Sequence, residues 1–288
     1  MTTRVSMAIS TLGRPSLSAL LQSLVSQDTK PYEVAIADQG PEGYVQSLVE
    51  PFTSELHIVV VPSPRGVSVG RNIAARALSD CDVIYFTDDD CMLAPDAVAL
   101  AAAEVRNGTD ICTGRVVSSL GERGQSTASA RQQLDRRTVW SASLEPNMIF
   151  AAATFRRLGG FDERLGIGAP TPWQSGEGTE IMIRAIDAGM SVVHTPELVV
   201  YEASPAITLS ELSLKTRRYA RGTGRVYAMH YSVWTHLWVV GRPAAGALLR
   251  ILQGRAGESR LLLNACIGRL SSLPSRFVVH RGHESRPK

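Results

Sequence analysis

Three adjacent aspartates, Asp88, Asp89 and Asp90, directly follow the short apolar run Val83–Phe86. Side chains alternate along an extended chain, so Asp88 and Asp90 are expected on one side and Asp89 on the other. Two carboxylates on the same side of a strand end can bind a hard divalent cation and leave coordination positions for phosphate oxygens. An acidic, solvated turn is the alternative interpretation, because a DxD pattern is frequent by chance.

Two other segments carry polar groups suited to a nucleotide. Asp38 ends the strand-like run "EVAIAD", where a carboxylate can accept hydrogen bonds from a base or a ribose; an Asx turn is the alternative. Residues 64–72, "PRGVSVGRN", place Gly66, Gly70 and Arg71 at the start of a helix. Backbone amides, helix dipole and guanidinium could together bind a diphosphate there, although a plain loop-to-helix start has the same pattern.

The elements that must position these residues alternate between strand and helix. This alternation predicts an α/β fold with a mostly parallel sheet flanked by helices, in which ligands bind outside the carboxyl ends of the strands. Asp38 and the three aspartates both end strands and could share one crevice. Strands are predicted over residues 5–10, 33–37, 57–61, 83–87, 110–117, 191–195 and 198–201, and helices over 16–27 (with Ser16 as the N-cap), 45–52, 66–78, 95–106 and 179–188; a short helix is also expected within the polar segment 118–138.

Composition narrows the class of protein. A chain of 288 residues with 44% hydrophobic and 20% charged residues is typical of a folded enzyme and excludes overall disorder. The four cysteines form no CxxC pair, which predicts free thiols in a reducing compartment. Neither the dinucleotide-binding motif GxGxxG nor the P-loop motif GxxxxGK[ST] occurs. The first residues lack the pattern of a signal peptide, so we expect a cytoplasmic protein.

The last quarter of the chain differs in charge from the rest. Residues 215–288 contain 14 lysines and arginines and only two acidic residues, a net charge of +12, against −9 for the remainder. Residues 233–270 interleave leucines with arginines, which predicts amphipathic helices on an anionic membrane surface or, alternatively, packed on protein. No uncharged stretch of 18 residues exists there, so no membrane-spanning helix is expected. Nothing resembles a nucleic-acid-binding module.

Several motifs occur along the chain in the same order as in a known protein family. The sequence resembles glycosyltransferase family 2, inverting sugar transferases with the GT-A (Rossmann-like) fold. The resemblance covers residues 4 to about 202 and rests on "VSMAISTLGRP" with "LLQSLVSQ", "EVAIADQG", "RGVSVGRNIAAR", "YFTDDDCMLAPDAV", "GGFDERLG", "SGEGTEIMIRAIDAG" and "HTPELVVYE". It also implies a mobile basic segment near the donor phosphates at residues 214–231.

The resemblance implies roles for most of the polar residues above. Asp88 and Asp90 would hold the ribose and a Mn²⁺ or Mg²⁺ ion on the donor diphosphate, where the cation stabilises the leaving group. Residues implied in binding the nucleotide-sugar are Ser10, Thr11, Arg14, Asp38, Arg71, Asp88 and Asp89.

The catalytic loop departs from the family pattern. Family members usually carry two adjacent acids at the positions of Glu177 and Gly178, and the second is often the base; glycine cannot serve. Glu177, expected in a loop ahead of the helix, becomes the first candidate, with a helix-start role as its alternative. Glu180 is the second candidate, although an i,i+4 surface ion pair with Arg184 is its expected role. Asp162, in "GGFDERLG", is expected on the acceptor side and is the next candidate for the base.

Three further residues have two interpretations each. Glu202 stands where the family often has a metal-binding histidine, and an oxygen ligand suits a hard cation; a plain strand-end charge is the alternative. Trp173 could stack on an acceptor sugar or simply pack. His194 lies in an apolar strand and is expected to be a buried core histidine.

Taken together, the sequence predicts a metal-dependent inverting glycosyltransferase acting in polysaccharide, glycolipid or other glycoconjugate synthesis. The donor-binding half is expected at residues 1–117, the acceptor half at 118–228 and a basic helical extension at 229–288. Asp38 favours a UDP- or dTDP-sugar, and the extension favours a lipid-linked hydroxyl acceptor at the inner face of the cell membrane. The rivals are a sugar nucleotidyltransferase, and a silent nucleotide-sugar-binding protein that has lost its base.

Overall fold

The computed structural model describes residues 2–118, 130–142, 145–203 and 208–273. The strands in these ranges are β1 (Val5–Thr11), β2 (Glu33–Asp38), β3 (Ile58–Pro62), β4 (Val83–Asp88), β5 (Cys91–Leu93), β6 (Ile111–Ser118), β7 (Gln132–Gln133), β8 (Met148–Ala151) and β9 (Val192–Glu202). The helices are α1 (Leu17–Val25), α2 (Tyr44–Val49), α3 (Val67–Ala77), α4 (Ala97–Arg106), α5 (Val139–Ala142), α6 (Ala152–Leu158), α7 (Glu177–Asp187), α8 (Leu209–His230), α9 (Val233–Leu252) and α10 (Ala256–Leu270), with a 3₁₀ turn at Glu50–Phe52.

The strands form one sheet in the order β3-β2-β1-β4-β8-β6-β9-β5, and β7 pairs with β9. Strands β1 to β4 are mutually parallel where they pair, β8 runs antiparallel to β4 and β6, and β6 runs parallel to β9. Helices cover the sheet, so β1, β2 and β4 are buried on both faces and read as continuous apolar runs. The predicted α/β class with a mostly parallel sheet is confirmed.

Two apolar groups hold the sheet to its helices. Helix α1 turns four fully buried leucines to the sheet, and burying each contributes about 1.5–3 kcal/mol. On another part of the sheet, four phenylalanine rings meet with centroids 4.9–6.1 Å apart, which ties β4 and β8 to α6 and the loop after it. The residues are Leu17, Leu20, Leu21 and Leu24, and Phe86, Phe150, Phe155 and Phe161.

Several local expectations need correction. Ser16 precedes α1 but its hydroxyl makes no cap hydrogen bond. Glu177 is the first residue of α7 and does not lie in a loop ahead of it, so its backbone geometry is fixed by the helix. The two strands expected after residue 190 are one strand, β9, because pairing with β6 continues through a bulge after Thr113. Within 130–138 no helix forms, and residues 119–129 lie outside the described part of the chain.

The chain divides into two compact units, one of residues 1–170 with 177–206 and one of residues 171–176 with 207–288. The first contains the whole sheet. The predicted functional division at residues 117 and 228 stays a prediction, because compactness does not tell which residues bind donor or acceptor. The expected free thiols are confirmed for all four cysteines.

The second unit is helical, as expected for the C-terminal extension. Helix α8 begins with a capping box in which Thr208 and Glu211 satisfy each other's backbone amides, and it includes residues 214–230, where the resemblance implies a mobile segment. Helices α8 and α10 pack closely at glycines: a Cβ on Gly268 would lie 2.6 Å from the Cβ of Ala220. Within the described ranges, no helix is long and apolar enough to cross a membrane.

Candidate functional site

Three parallel strands of the first unit end at one edge of the sheet and bring the predicted polar residues together there. Ser10 on β1 is in register with Asp88 on β4, and Thr11 is in register with Asp38 on β2. The carboxyl ends of these strands therefore lie side by side along one edge of the sheet, called the strand-end crevice below, which is where ligands bind in open parallel sheets.

The Asp38 side of the crevice is shaped by turns and one glutamine. Asp38 accepts a hydrogen bond from the Gly40 amide at 2.8 Å, which is the Asx turn considered as the alternative, and this contact uses one carboxylate oxygen. An open cavity adjoins it, lined by Asp38, Gln39, Gly40, Glu42, Gly43, Pro62, Ser63 and Pro64.

Gln39, which sequence reasoning missed, fixes the start of α3 against this side. Its amide nitrogen donates to the Gly66 carbonyl at 2.9 Å, and its amide oxygen lies 3.3 Å from the Gly66 nitrogen. A Cβ on Gly70 would lie 2.5 Å from Ser10 Cβ and 2.5 Å from Gln39 Nε2. Glycine at position 70 therefore lets the helix approach the strand ends closely. The polar residue directly after β2 was the available signal for Gln39.

The middle aspartate of the triplet points inward. Asp89 is 5% exposed and accepts a 2.6 Å hydrogen bond from Thr11 Oγ1 and a 3.2 Å bond from Arg14 Nη1. Burial raises the pKa of Asp89, and the Thr11 and Arg14 contacts oppose that rise. Arg14 also binds Asp90 at 2.7 Å. Thr11, Arg14 and Asp89 therefore form a network that orders the triplet, and their predicted contact with the donor stays a prediction.

Asp88, Asp90 and Glu202 supply oxygen ligands of the kind that Mn²⁺ and Mg²⁺ take. Cys91 pairs with Glu202 across β5 and β9, and the Ala203 amide donates to the Asp90 carbonyl at 3.1 Å, so the end of β9 adjoins the triplet. Burial and the nearby Asp88 charge raise the pKa of Asp90, and Arg14 opposes the rise. Within the described ranges, no three His, Cys, Asp or Glu side chains are already gathered at metal-binding spacing. The donor set therefore fits a hard cation whose remaining ligands come from a diphosphate or water.

Arg71 is the centre of the acidic site. Its guanidinium is 1% exposed and lies 5.7 Å from the ring centre of Phe161. Nη2 donates to Asp88 Oδ1 at 2.6 Å and Nη1 donates to Glu177 Oε1 at 3.1 Å. The sequence predicts that Arg71 lies near a diphosphate; in the structure its guanidinium contacts Asp88 and Glu177, and its role in donor binding stays a prediction.

Glu177 and Glu145 stand next to each other on one side of Arg71. Glu177 is 5% exposed, and its Oε2 is buried without a hydrogen-bond partner. Burial raises the pKa of Glu177, although Arg71 opposes the rise. Glu145, which the sequence patterns did not mark, is half-buried on the loop before β8. Burial, followed by the nearby Glu177 charge, raises the pKa of Glu145 to about 8.

Two other predicted acids are held by arginines. Arg184 Nε contacts both carboxylate oxygens of Glu180 at 2.9 Å, and the same guanidinium binds the carbonyls of Leu158 and Gly160. The expected surface pair is therefore buried, since Glu180 is 2% exposed, and it anchors α7 to the end of α6. Asp162 is bound by Arg164 at 2.7 Å; burial would raise its pKa, but the Arg164 hydrogen bonds outweigh burial and lower it.

The remaining two predicted residues are His194, in the first unit, and Trp173, in the second. His194 is fully buried and its Nδ1 lies 3.2 Å from Thr113 Oγ1, which confirms the expected core histidine. Trp173 belongs to the segment 171–176 of the second compact unit, where its backbone amide contacts the Thr171 hydroxyl at 3.2 Å. Its contact with an acceptor sugar stays a prediction.

Comparisons with known proteins identify the family and the fold of the chain. The sequence model described as Glycosyl transferase family 2 matches residues 6–158, more than half of the chain, and the related model described as Glycosyl transferase family group 2 matches residues 83–256. No curated protein matches the chain by sequence.

Solved structures of glycosyltransferases are similar to the chain. Residues 1–349 of S. aureus TarS, in complex with UDP-GlcNAc, match with a TM-score of 0.59 at 15% identity, covering 95% of this chain and 92% of that one. The mannosyltransferase PcManGT from Pyrobaculum calidifontis, in complex with GDP-Man and Mn²⁺, matches with a TM-score of 0.64 at 17% identity, covering 94% and 88%. GalNAc-T7 with UDP, GalNAc and Mn²⁺ matches at 14% identity and 0.59, covering 84% and 51%. At these identities the likeness establishes the fold alone, and the expected GT-A fold is confirmed.

Proposed function

Because this chain belongs to glycosyl transferase family 2, we propose that it transfers a sugar, with inversion, from a nucleotide-sugar to a hydroxyl acceptor. The observation that carries this proposal is the position of Asp88. It stands at the strand-end crevice beside Asp90, and through the buried Arg71 it connects to Glu177. One guanidinium therefore links a carboxylate that we assign to the donor with one that we assign to the acceptor, which supports transfer between two substrates.

The donor would bind along the strand ends. Asp38 would accept hydrogen bonds from the base or the ribose of the nucleotide, and we expect the donor to be a UDP- or dTDP-sugar. Asp88 and Asp90, with Glu202, are the residues that would hold Mn²⁺ or Mg²⁺. When bound, such a cation neutralises the charge that develops on the leaving diphosphate. The chain is similar in fold to a UDP-GlcNAc complex and to a GDP-Man complex, which supports a nucleotide-sugar as the donor. A binding test must therefore include both uridine and guanosine nucleotides.

We also propose that the second unit binds an anionic membrane surface and thereby meets a lipid-linked acceptor of polysaccharide or glycoconjugate synthesis. One face of α9 exposes apolar side chains at helical spacing, while the opposite face is buried. Arg242 lies 5.6 Å from the Trp238 ring beside this face, and the surrounding region is strongly basic. The exposed apolar residues of α9 are Val233, Trp234, Leu237, Trp238, Leu248, Leu249, Ile251 and Leu252.

The membrane proposal is tested by flotation with phosphatidylserine-containing and pure phosphatidylcholine vesicles at low salt. We expect binding to the anionic vesicles only, because apolar insertion and basic charge act together. A Trp234→Ala, Trp238→Ala double variant should stay unbound, and a Tyr44→Ala control, which removes an exposed aromatic from the first unit, should float like the wild type. If the wild-type protein does not bind anionic vesicles, the membrane proposal is wrong and α9 is a helix that packs against protein.

The transferase proposal is tested by donor binding and turnover. Thermal shift with UDP, dTDP and GDP, each with Mn²⁺, should identify the base, because a ligand that binds only the folded state stabilises it by mass action. Release of nucleotide from the matching nucleotide-sugar should follow. A nucleotidyltransferase would instead form a nucleotide-sugar from a nucleoside triphosphate and a sugar 1-phosphate. A silent binding protein would show the thermal shift without turnover.

A further inference from the structure

Glu145 lies on the loop before β8, beside Arg71 and Glu177, and no sequence motif marks it. We infer that Glu145 is a catalytic residue, the carboxylate that takes the proton from the acceptor hydroxyl, placed in the space where a side chain at position 178 would stand. This inference rests on the proposed transferase function and assigns its base to a residue other than Glu177.

The geometry around Gly178 carries the inference. A Cβ on Gly178 would lie 2.8 Å from Glu145 Cγ and 2.9 Å from Met148 Sδ. Such distances are shorter than real Cβ contacts, so Glu145 and a side chain at position 178 cannot both occupy this space as it stands. The acid that the family pattern places at 178 is missing from the sequence, and a carboxylate from a different element occupies the same space.

The other carboxylates on this side are less available to a substrate. Each is engaged by a guanidinium: Glu177 by Arg71, Glu180 by Arg184 and Asp162 by Arg164. Glu145 differs from them in two respects. Its carboxylate makes no hydrogen bond to another side chain in the described part of the chain, and it keeps partial exposure. A general base needs both an unoccupied lone pair and access to the substrate.

The charges that face Glu145 suit a proton acceptor. Glu177 and Asp88 raise its pKa, and Arg71 opposes them, with burial as the largest influence. General-base catalysis is most effective when the pKa of the base lies near the working pH. Arg71 lies close to the Glu145 backbone, with Nη2 3.5 Å from the carbonyl oxygen, so the loop and the guanidinium are adjacent.

The step balances as follows. The acceptor oxygen forms a bond to the anomeric carbon of the donor while its O–H bond breaks and the proton passes to the Glu145 carboxylate. The bond between the anomeric carbon and the diphosphate oxygen breaks, and its electron pair leaves with the nucleoside diphosphate. Glu145 then returns the proton to solvent. With water in place of the acceptor, the same step is donor hydrolysis, which gives an assay that needs no identified acceptor.

The first experiment compares Glu145→Gln with wild type and with Glu50→Gln, a control that removes an exposed acid remote from the carboxylates. Nucleotide release is measured from UDP-GlcNAc, a dTDP-sugar and GDP-mannose with Mn²⁺. We expect Glu145→Gln to lose about 10²–10⁴-fold in rate. Its thermal shift with the matching nucleoside diphosphate should equal that of wild type. Release at the wild-type rate by Glu145→Gln would overturn the inference.

The second experiment moves the carboxylate to position 178. Gly178→Asp alone should lower the melting temperature, because its Cβ collides with Glu145 Cγ and Met148 Sδ; a Glu145→Ala background removes the first of these collisions, so the loss there should be smaller. The double variant Glu145→Ala, Gly178→Asp should release nucleotide faster than Glu145→Ala alone. An equal loss of melting temperature in both backgrounds would overturn the inference. If wild type releases no nucleotide from any donor, the proposed function fails instead, and the melting temperatures still decide whether Glu145 fills the space at Gly178.

Discussion

Replacing Arg71 by methionine should destabilise the protein strongly, because the Arg71 guanidinium contacts both Asp88 and Glu177. Methionine keeps much of the apolar stem packed near Phe161 and removes only the charge and the donors. The variant therefore leaves two carboxylates without their counter-charge, and one of them, Glu177, is almost fully buried.

The size of the effect follows from burial. Breaking a buried ion pair by removing one partner typically costs about 3–5 kcal/mol, because the remaining charge is uncompensated. The Asp88 side chain is 31% exposed and can recover hydration, whereas that of Glu177 is 6% exposed and cannot. Glu177 therefore dominates the loss. For a chain of this size the expected fall in melting temperature is on the order of 6–20 °C.

Urea unfolding as a function of pH measures the effect and its sign. A carboxyl whose pKa is raised in the folded state contributes stability that is present below its unfolded pKa and is lost as pH rises through the folded pKa. Without Arg71 the pKa of Glu177 should rise further, so the deficit should be small near pH 4.5 and grow toward neutrality.

Two controls decide between charge and geometry. Arg71→Lys keeps one positive charge but lacks the fork that reaches two carboxylates, so it should lose less stability than Arg71→Met. Lys30→Met breaks the exposed pair with Glu55 and should cost about 0–1 kcal/mol. If Arg71→Met costs no more than Lys30→Met, the carboxylate site is hydrated and the reasoning from burial is refuted.

Three further predictions concern single residues. Asp90→Asn should abolish nucleotide release and the Mn²⁺-dependent part of the thermal shift with the donor while leaving the ligand-free melting temperature near wild type; normal turnover would exclude Asp90 as a ligand. Gly70→Ala should cost about 1–3 kcal/mol in urea unfolding and weaken donor binding, because its Cβ would stand 2.5 Å from Ser10 Cβ; an unchanged protein would show that α3 can move away from the strand ends. Wild-type stability should fall between about pH 4.5 and about pH 8, by at most about 1.4 kcal/mol per pH unit for one proton, as the proton bound to Glu145 is lost. Glu145→Gln should show a flatter profile, and identical profiles would contradict the raised pKa.

The sequence predicted the sheet, and the edge at which its polar strand ends meet, for a physical reason. Strands β1, β2 and β4 are buried on both faces, so they are largely apolar runs, and an aspartate ends each of β2 and β4. Asp38 and Asp88 are those residues. Parallel pairing then requires their ends to meet at one edge, and the observed register brings them together.

The side-chain partners within the site could not be read from the sequence in the same way. Arg71 looked like a phosphate ligand because a helix start with glycines is a common anion site; its direction depends on Glu177, 106 residues away. Glu145 has no local pattern at all, and its position matters only because Gly178, on another element, leaves space for it. The Arg184 pair was predicted from i,i+4 spacing, but its burial depends on the end of α6.

Charge balance connects the unusual features of the carboxylate site. Asp88, Glu145 and Glu177 stand around one guanidinium, so full ionisation would leave an excess of negative charge beside the buried Glu177. Burial is the largest cause of the raised pKa values of Glu145 and Glu177, and the neighbouring negative charges add to it. A further acid at position 178 would add charge to the same space and collide with Glu145. The absence of a side chain at Gly178 therefore leaves room for Glu145. The second carboxylate beside Glu177 comes from the loop before β8 and not from helix α7.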